Sequence, residues 1–155
     1  MKHIPQWTEW DCAVASLAMV ADVTWHVAMS ALAPSHVERD GVYMETIRPT
    51  LRRLGYNLGR WRRTNRDMLF TVMAISLVSA PRRALVYCKW GNDNDRHMVA
   101  LADGRIYNPG RRVPYTRGFI PSDLIPLEWA EVTGPGYLPR LVWNEYEDVG
   151  YTEEM

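Results

Sequence analysis

Four side chains in this sequence form a set that can transfer an acyl group: Gln6, Cys12, His97 and Asn108. Cys12 stands where the loop-like stretch Gln6-Trp7-Thr8-Glu9-Trp10-Asp11 gives way to the apolar run Ala13-Val14-Ala15-Ser16-Leu17-Ala18-Met19. A thiol at a helix N-terminus meets unpaired backbone N–H groups and the positive end of the helix dipole, both of which favour the reactive thiolate. In such a set His97 takes the thiol proton and later gives it to the leaving group, while Asn108 fixes the imidazole tautomer. Gln6 and the Cys12 backbone N–H stabilise the oxyanion, and the reaction passes through a covalent thioester.

Each member has a plainer role when taken alone. A single Cys in an apolar helix is usually inert packing, a strand histidine usually satisfies a hydrogen bond, and an upstream glutamine can bond a loop carbonyl. The reading therefore rests on the set and its order along the chain. Cys88 falls mid-strand in an apolar run and is read as structural. Asp95 and Asp103 compete for the third position, but Asp103 is taken up by a turn and Asp95 reaches the ring only if its loop curls back. His3, His26 and His36 lack metal-ligand spacing and no C-x-x-C pair occurs, so neither a metal nor another cofactor is expected.

The elements that must position this set change character halfway along the chain. Cys12 to about Ala21 is apolar nearly all round, the pattern of a buried central helix. Thr24 can cap a second helix from Trp25 to about Leu32, before Pro34. A third helix is expected between Tyr43 and Leu54, ended by Gly55, with Pro49 predicting a kink or a later start. A fourth covers Met68 to Ile75, with Asp67 as its N-terminal acid. Beyond it Arg83 to Trp90 is rich in β-formers and reads as a strand, followed by a polar loop, Gly91 to Asp95, which could act as a lid beside His97.

The strongest local signal is Asp103-Gly104, a favoured type I′ turn, between His97–Ala102 and Arg105–Asn108. With Asp103 and Gly104 as the turn, Ala102 pairs with Arg105, Leu101 with Ile106 and Ala100 with Tyr107. His97 and Asn108 then emerge on one face as diagonal neighbours, so the carboxamide can accept from the imidazole.

The chain has 155 residues with 47% hydrophobic and 11% aromatic content, enough for one folded domain, and no linker or repeat divides 1–155. Its 18 basic and 18 acidic side chains cancel, which leaves no net-charge argument for a polyanion partner. Their distribution is uneven: Arg48, Arg52, Arg53, Arg60, Arg62, Arg63 and Arg66 lie together, and an acidic tail starts at about 144. The arginines read first as a solvated face; a nucleic-acid site is the alternative. Two cysteines cannot build a disulfide framework, and no apolar run spans a bilayer or forms a signal h-region. A soluble, cytoplasmic protein starting at Met1 is expected, without a membrane partner.

Gln6, five residues, Cys12 with its Ala-Val-Ala-Ser-Leu-Ala-Met helix, and much later His97-Met-Val-Ala-Leu with Asn108-Pro109 resemble the papain-like cysteine peptidases. The nearest likeness is to the bacteriocin-leader-processing peptidase domain of bacterial ABC exporters and its stand-alone relatives. It runs from Ile4 to about Trp129, and Leu51-Arg-Arg-Leu-Gly55 looks like the end of that family's third helix. Ala13 replaces the glycine usual after the nucleophile, and Asn108 replaces the aspartate usual in exporter domains, although papain itself uses asparagine.

The resemblance implies an α+β fold, a helical layer carrying Cys12 packed on an antiparallel sheet carrying His97. It also implies a peptidase or isopeptidase with a Cys-His-Asn triad acting on a peptide or protein substrate. An amidase, deamidase or acyltransferase would use the same residues. A non-catalytic binding protein on this fold would use the Arg48 to Arg66 stretch instead.

Overall fold

The computed structural model describes residues 1–8, 11–32, 44–91 and 95–134. Trp10, His36, most of the loop after Gly91 and the acidic tail from about 144 lie outside the described residues.

Among the described residues four helices and an antiparallel sheet make up an α+β architecture: α1 (Cys12–Val20), α2 (Trp25–Leu32), α3 (Met44–Arg53) and α4 (Arg66–Ser76), with β1 (Asn57–Leu58), β2 (Arg62–Arg63), β3 (Arg83–Trp90), β4 (Asp95–Ala102), β5 (Arg105–Tyr107) and β6 (Leu124–Thr133). The sheet order is β1-β6-β3-β4-β5, and β2 also pairs with β6. Strand alternation divides the apolar residues between two cores. Leu85, Met98, Ala100, Ala102 and Tyr107 face one way and pack with α1, α2 and α3. Val86, Cys88, Val99, Leu101 and Ile106 face the other, against Leu69 and Met73 of α4 and the segment carrying Tyr115 and Ile120.

α1 is the central helix that its all-round apolar pattern predicts, with every residue after Cys12 buried. Its far end is held by Arg83, which donates to the carbonyls of Met19 (3.3 Å) and Val20 (3.1 Å) and pairs with Asp22 at 2.8 Å. A cation among the last carbonyls satisfies groups the helix cannot. Thr24 caps α2 through Val27 N–H at 3.2 Å. α3 runs through Pro49 rather than starting there, and Gly55 (φ 88°) ends it while Tyr56 N–H reaches back to Leu51 O at 2.8 Å.

The reading of α4 needs a correction at its start. The cap is Asn65, whose Oδ1 accepts from Met68 N–H at 2.9 Å, so the helix begins at Arg66 and Asp67 lies within its first turn. The hairpin has the expected pairs, Ala102 with Arg105, Leu101 with Ile106 and Ala100 with Tyr107. Positive φ at Asp103 (52°) and Gly104 (74°) supplies the primed turn. β4 starts at Asp95, which pairs with Trp90, so Asp95 is an exposed strand residue and does not curl back.

The arginine stretch does not form one solvated face. Arg48 is buried, and its guanidinium donates to the carbonyls of Leu58 and of Gly59, the latter at 3.1 Å. Arg66 donates to Ile120 O (2.9 Å), Pro121 O (2.7 Å) and Leu124 O (3.3 Å). Both side chains tie backbone segments together. Among the described residues, no single helix is long and apolar enough to cross a membrane.

Candidate active site

Asn108 follows β5 directly, and the hairpin register carries it to the level of Val99, diagonal to His97. Its Oδ1 lies 2.7 Å from His97 Nε2. The amide orientation is fixed from two more directions: Nδ2 donates to Tyr115 Oη at 3.1 Å, and Gly110 N–H donates to Oδ1 at 2.9 Å. With oxygen facing the imidazole, Nε2 must carry the ring proton and Nδ1 the lone pair. The indole of Trp90 covers the ring, with centroids 4.7 Å apart. Gly110 is required for this cover, because a Cβ there would overlap the Trp90 ring.

α1 delivers Cys12 to the same end of β4. β5 pairs with β4 no further than Ala100, so the edge of Met98 is left open. Residues four apart share a helix face, and α1 turns Cys12 and Ser16 towards that edge. Ser16 Oγ donates to Met98 O at 3.0 Å, while the Met98 backbone amide acts electrostatically on the Cys12 thiol and lowers its pKa. The N–H and C=O of one strand residue project to the same side, so α1 acts at both polar groups of a single residue, the immediate neighbour of His97. Among the described residues no hydrogen bond joins the Cys12 thiol to the imidazole: Met98 faces the α1 core, and His97, the cross-strand partner of Cys88, leaves β4 on the other face.

The electrostatics oppose the thiolate expected from the helix N-terminus. Burial pushes the Cys12 thiol up from its ordinary value of 9.0, and the Asp11 carboxylate adds to this, against the lowering effect of the Met98, Ala13 and Cys12 backbone amides. Burial also pushes the His97 imidazole below 6.5, with the Asn108 bond opposing it. Both shifts favour a neutral thiol and a neutral imidazole at rest. Cys88 is fully buried, its thiol driven far up by desolvation, which fits the structural reading.

Gln6 arrives beside Asn108 through its backbone, whose N–H donates to Pro109 O at 2.8 Å. Its side-chain Nε2 donates to Thr8 O at 2.6 Å, leaving one amide proton, and its Oε1 is buried without a partner among the described residues. An open cavity of about 470 Å³ runs between Pro5–Thr8 on one side and Trp90 with Pro109–Arg112 on the other. Trp7 lines it, exposed, and stacks on Trp25 of α2 at 4.2 Å.

Three participants were not singled out from the sequence. Tyr115 and Trp90 act through the fold, and nothing local in their surroundings marks them. Asp11 is different. Its buried carboxylate accepts from Trp7 N–H (2.9 Å), Thr8 N–H (2.7 Å), Thr8 Oγ1 (2.9 Å) and Trp25 Nε1 (2.8 Å). It sits at the N-cap position of α1 but makes no side-chain bond to that helix, and instead closes the loop that carries Gln6. The spacing Thr8-x-x-Asp11, immediately before the cysteine, was the available signal.

Among the described residues no group of three His, Cys, Asp or Glu side chains could hold a metal ion. No protein-family model matches the chain, and no curated protein matches it.

Proposed function

We propose that this chain is a cysteine peptidase of the papain-like kind, with Cys12 as nucleophile, His97 as base and acid, Asn108 as the residue that orients His97, and Gln6 as an oxyanion donor. The observation that carries this reading is the 2.7 Å bond between Asn108 Oδ1 and His97 Nε2, with the amide pinned by Tyr115, one residue from Met98, whose backbone amide acts on the Cys12 thiol. That arrangement leaves Nδ1 of His97 basic, as proton abstraction requires.

In the proposed cycle, His97 Nδ1 takes the Cys12 proton as sulfur bonds to the substrate carbonyl carbon. The resulting oxyanion accepts from the Cys12 N–H and the remaining Gln6 amide proton. Collapse breaks the C–N bond, and His97 passes its proton to the leaving amine. Water then attacks the thioester, His97 takes its proton, the C–S bond breaks, and the thiol is restored. A neutral resting pair fits this sequence, since proton transfer then accompanies attack rather than preceding it.

The test uses a peptidyl vinyl sulfone mixture with intact-mass and peptide-mapping readout. A single adduct at Cys12, formed at least tenfold more slowly in His97→Ala and with Cys88 untouched, is the expected result. Equal labelling in the two proteins would sink the assignment of His97 as base.

A further inference from the structure

The sheet register places a charged row beside the thiol. Across four neighbouring strands Arg63 pairs with Glu128, Glu128 with Tyr87, and Tyr87 with Met98, the residue that accepts from Ser16 of α1 and whose amide acts on Cys12. Cross-strand partners share a face, so this row lies on the α1 side of the sheet. Arg96 joins it from β4, its guanidinium 5.8 Å from the centre of the Tyr87 ring. Together Arg63, Tyr87, Arg96, Leu127 and Glu128 line an open cavity of about 460 Å³. Arg63 and Arg96 are exposed, and Tyr87 and Glu128 are half-buried. Among the described residues neither arginine forms an ion pair with Glu128, so the cavity holds two guanidinium groups, one carboxylate and a phenol.

The geometry points to this cavity as a specificity subsite that receives an acidic side chain of the peptide substrate, held by Arg63 and by Arg96, whose guanidinium lies over the Tyr87 ring. The inference rests on the peptidase reading and adds the substrate class. Two guanidinium groups outnumber the single carboxylate of Glu128, and a fork geometry suits a substrate Asp or Glu. Strands lie about 4.8 Å apart, so the row from Met98 to Arg63 spans roughly 14 Å; with about 3.3 Å per extended residue and allowance for arginine reach, the acidic residue falls about two to four positions from the scissile bond. The cavity beside Gln6 is a separate space on the Asn108 side of the site, so the two give the substrate chain distinct walls.

The experiment is an internally quenched decapeptide library in which Glu or Lys is placed at each position, read with the native chain, with Arg63→Gln/Arg96→Gln and with Arg63→Glu/Arg96→Glu. The native chain is expected to favour Glu over Lys at least tenfold at one position. The neutral pair should abolish that preference and the reversed pair invert it, with circular dichroism unchanged. Cys12-dependent cleavage that is indifferent to Glu or Lys overturns the subsite and leaves the peptidase reading standing. If the native chain cleaves no peptide, the peptidase reading falls, and fluorescence anisotropy of Cys12→Ala with the same peptides decides the subsite. Preference for Glu that the charge-reversed pair inverts sustains it, and equal binding overturns it.

Discussion

Ser16 Oγ donates to the carbonyl of Met98 at 3.0 Å, and the amide of that same residue lowers the pKa of Cys12, one turn earlier on the helix. Sequence separation between the two partners is 82 residues, yet this bond sets where α1 stands along β4 and therefore where the thiol lies relative to His97. Ser16→Ala leaves a buried strand carbonyl without its donor, at a cost of about 1–3 kcal/mol. Urea unfolding should show that loss, and vinyl sulfone labelling of Cys12 should slow. A full stability loss with unaltered labelling would mean that the clamp holds the fold but not the thiol.

Tyr115 acts on the imidazole through Asn108. Tyr115→Phe removes the oxygen that accepts from Asn108 Nδ2 at 3.1 Å, and leaves the Gly110 N–H on Oδ1 as the one remaining restraint against the amide turning its nitrogen towards the ring. A ring facing a donor adopts the other tautomer, which protonates Nδ1 and removes the base. We expect kcat/KM to fall about tenfold or more, as it does when a base is no longer held in its tautomer. KM should change little. An equal fall in Asn108→Ala and in the double variant would show that the two residues act as one unit.

The hairpin and the Asn108–His97 contact were legible because turn chemistry fixes register, and register fixes faces. The helices were legible for a similar reason: α1 is apolar all round, and Gly55 and Thr24 punctuate α3 and α2. β6 was not, because Pro126, Glu128 and Glu131 interrupt any alternation, and a register shift lies where the β3 partner passes from Glu128 to Pro126. β1 and β2 were too short to show a period. The state of Cys12 also escaped the sequence. A helix N-terminus favours a thiolate, but the depth at which α1 is buried and the charge on Asp11 are tertiary facts, and here they reverse the direction.

Arg48 gives the clearest test of how far charge runs mislead. Its guanidinium holds two carbonyls, those of Leu58 and Gly59, inside the first core. Arg48→Met keeps most of the volume but strands both acceptors, and should cost about 2–4 kcal/mol. Arg60→Ala, at an exposed position in the same stretch, should stay within about 0.5 kcal/mol. Thermal melts of the two variants compare them directly. Similar small losses would restore the solvated face expected from the sequence.

The pH dependence separates a neutral resting pair from a preformed thiolate–imidazolium pair. His97 lies below 6.5 and Cys12 above 9.0. In the proposed cycle the imidazole must be neutral, so the acid limb of kcat/KM should fall below pH 6.5, and Asn108→Asp should move it upward because a carboxylate beside the ring favours the cation. Iodoacetamide alkylation of Cys12 should accelerate only above pH 9, where the thiolate forms, and Cys88 should lag behind it. Stability follows the same signs. Below pH 6.5 the unfolded chain binds a proton at His97 that the folded one resists, so stability falls with falling pH; above pH 9.0 the unfolded thiols ionise first, so stability falls again as pH rises. His97→Gln should flatten the acid side alone. Rapid alkylation of Cys12 near pH 6, lost in His97→Gln, would instead identify an ion pair and overturn the neutral state.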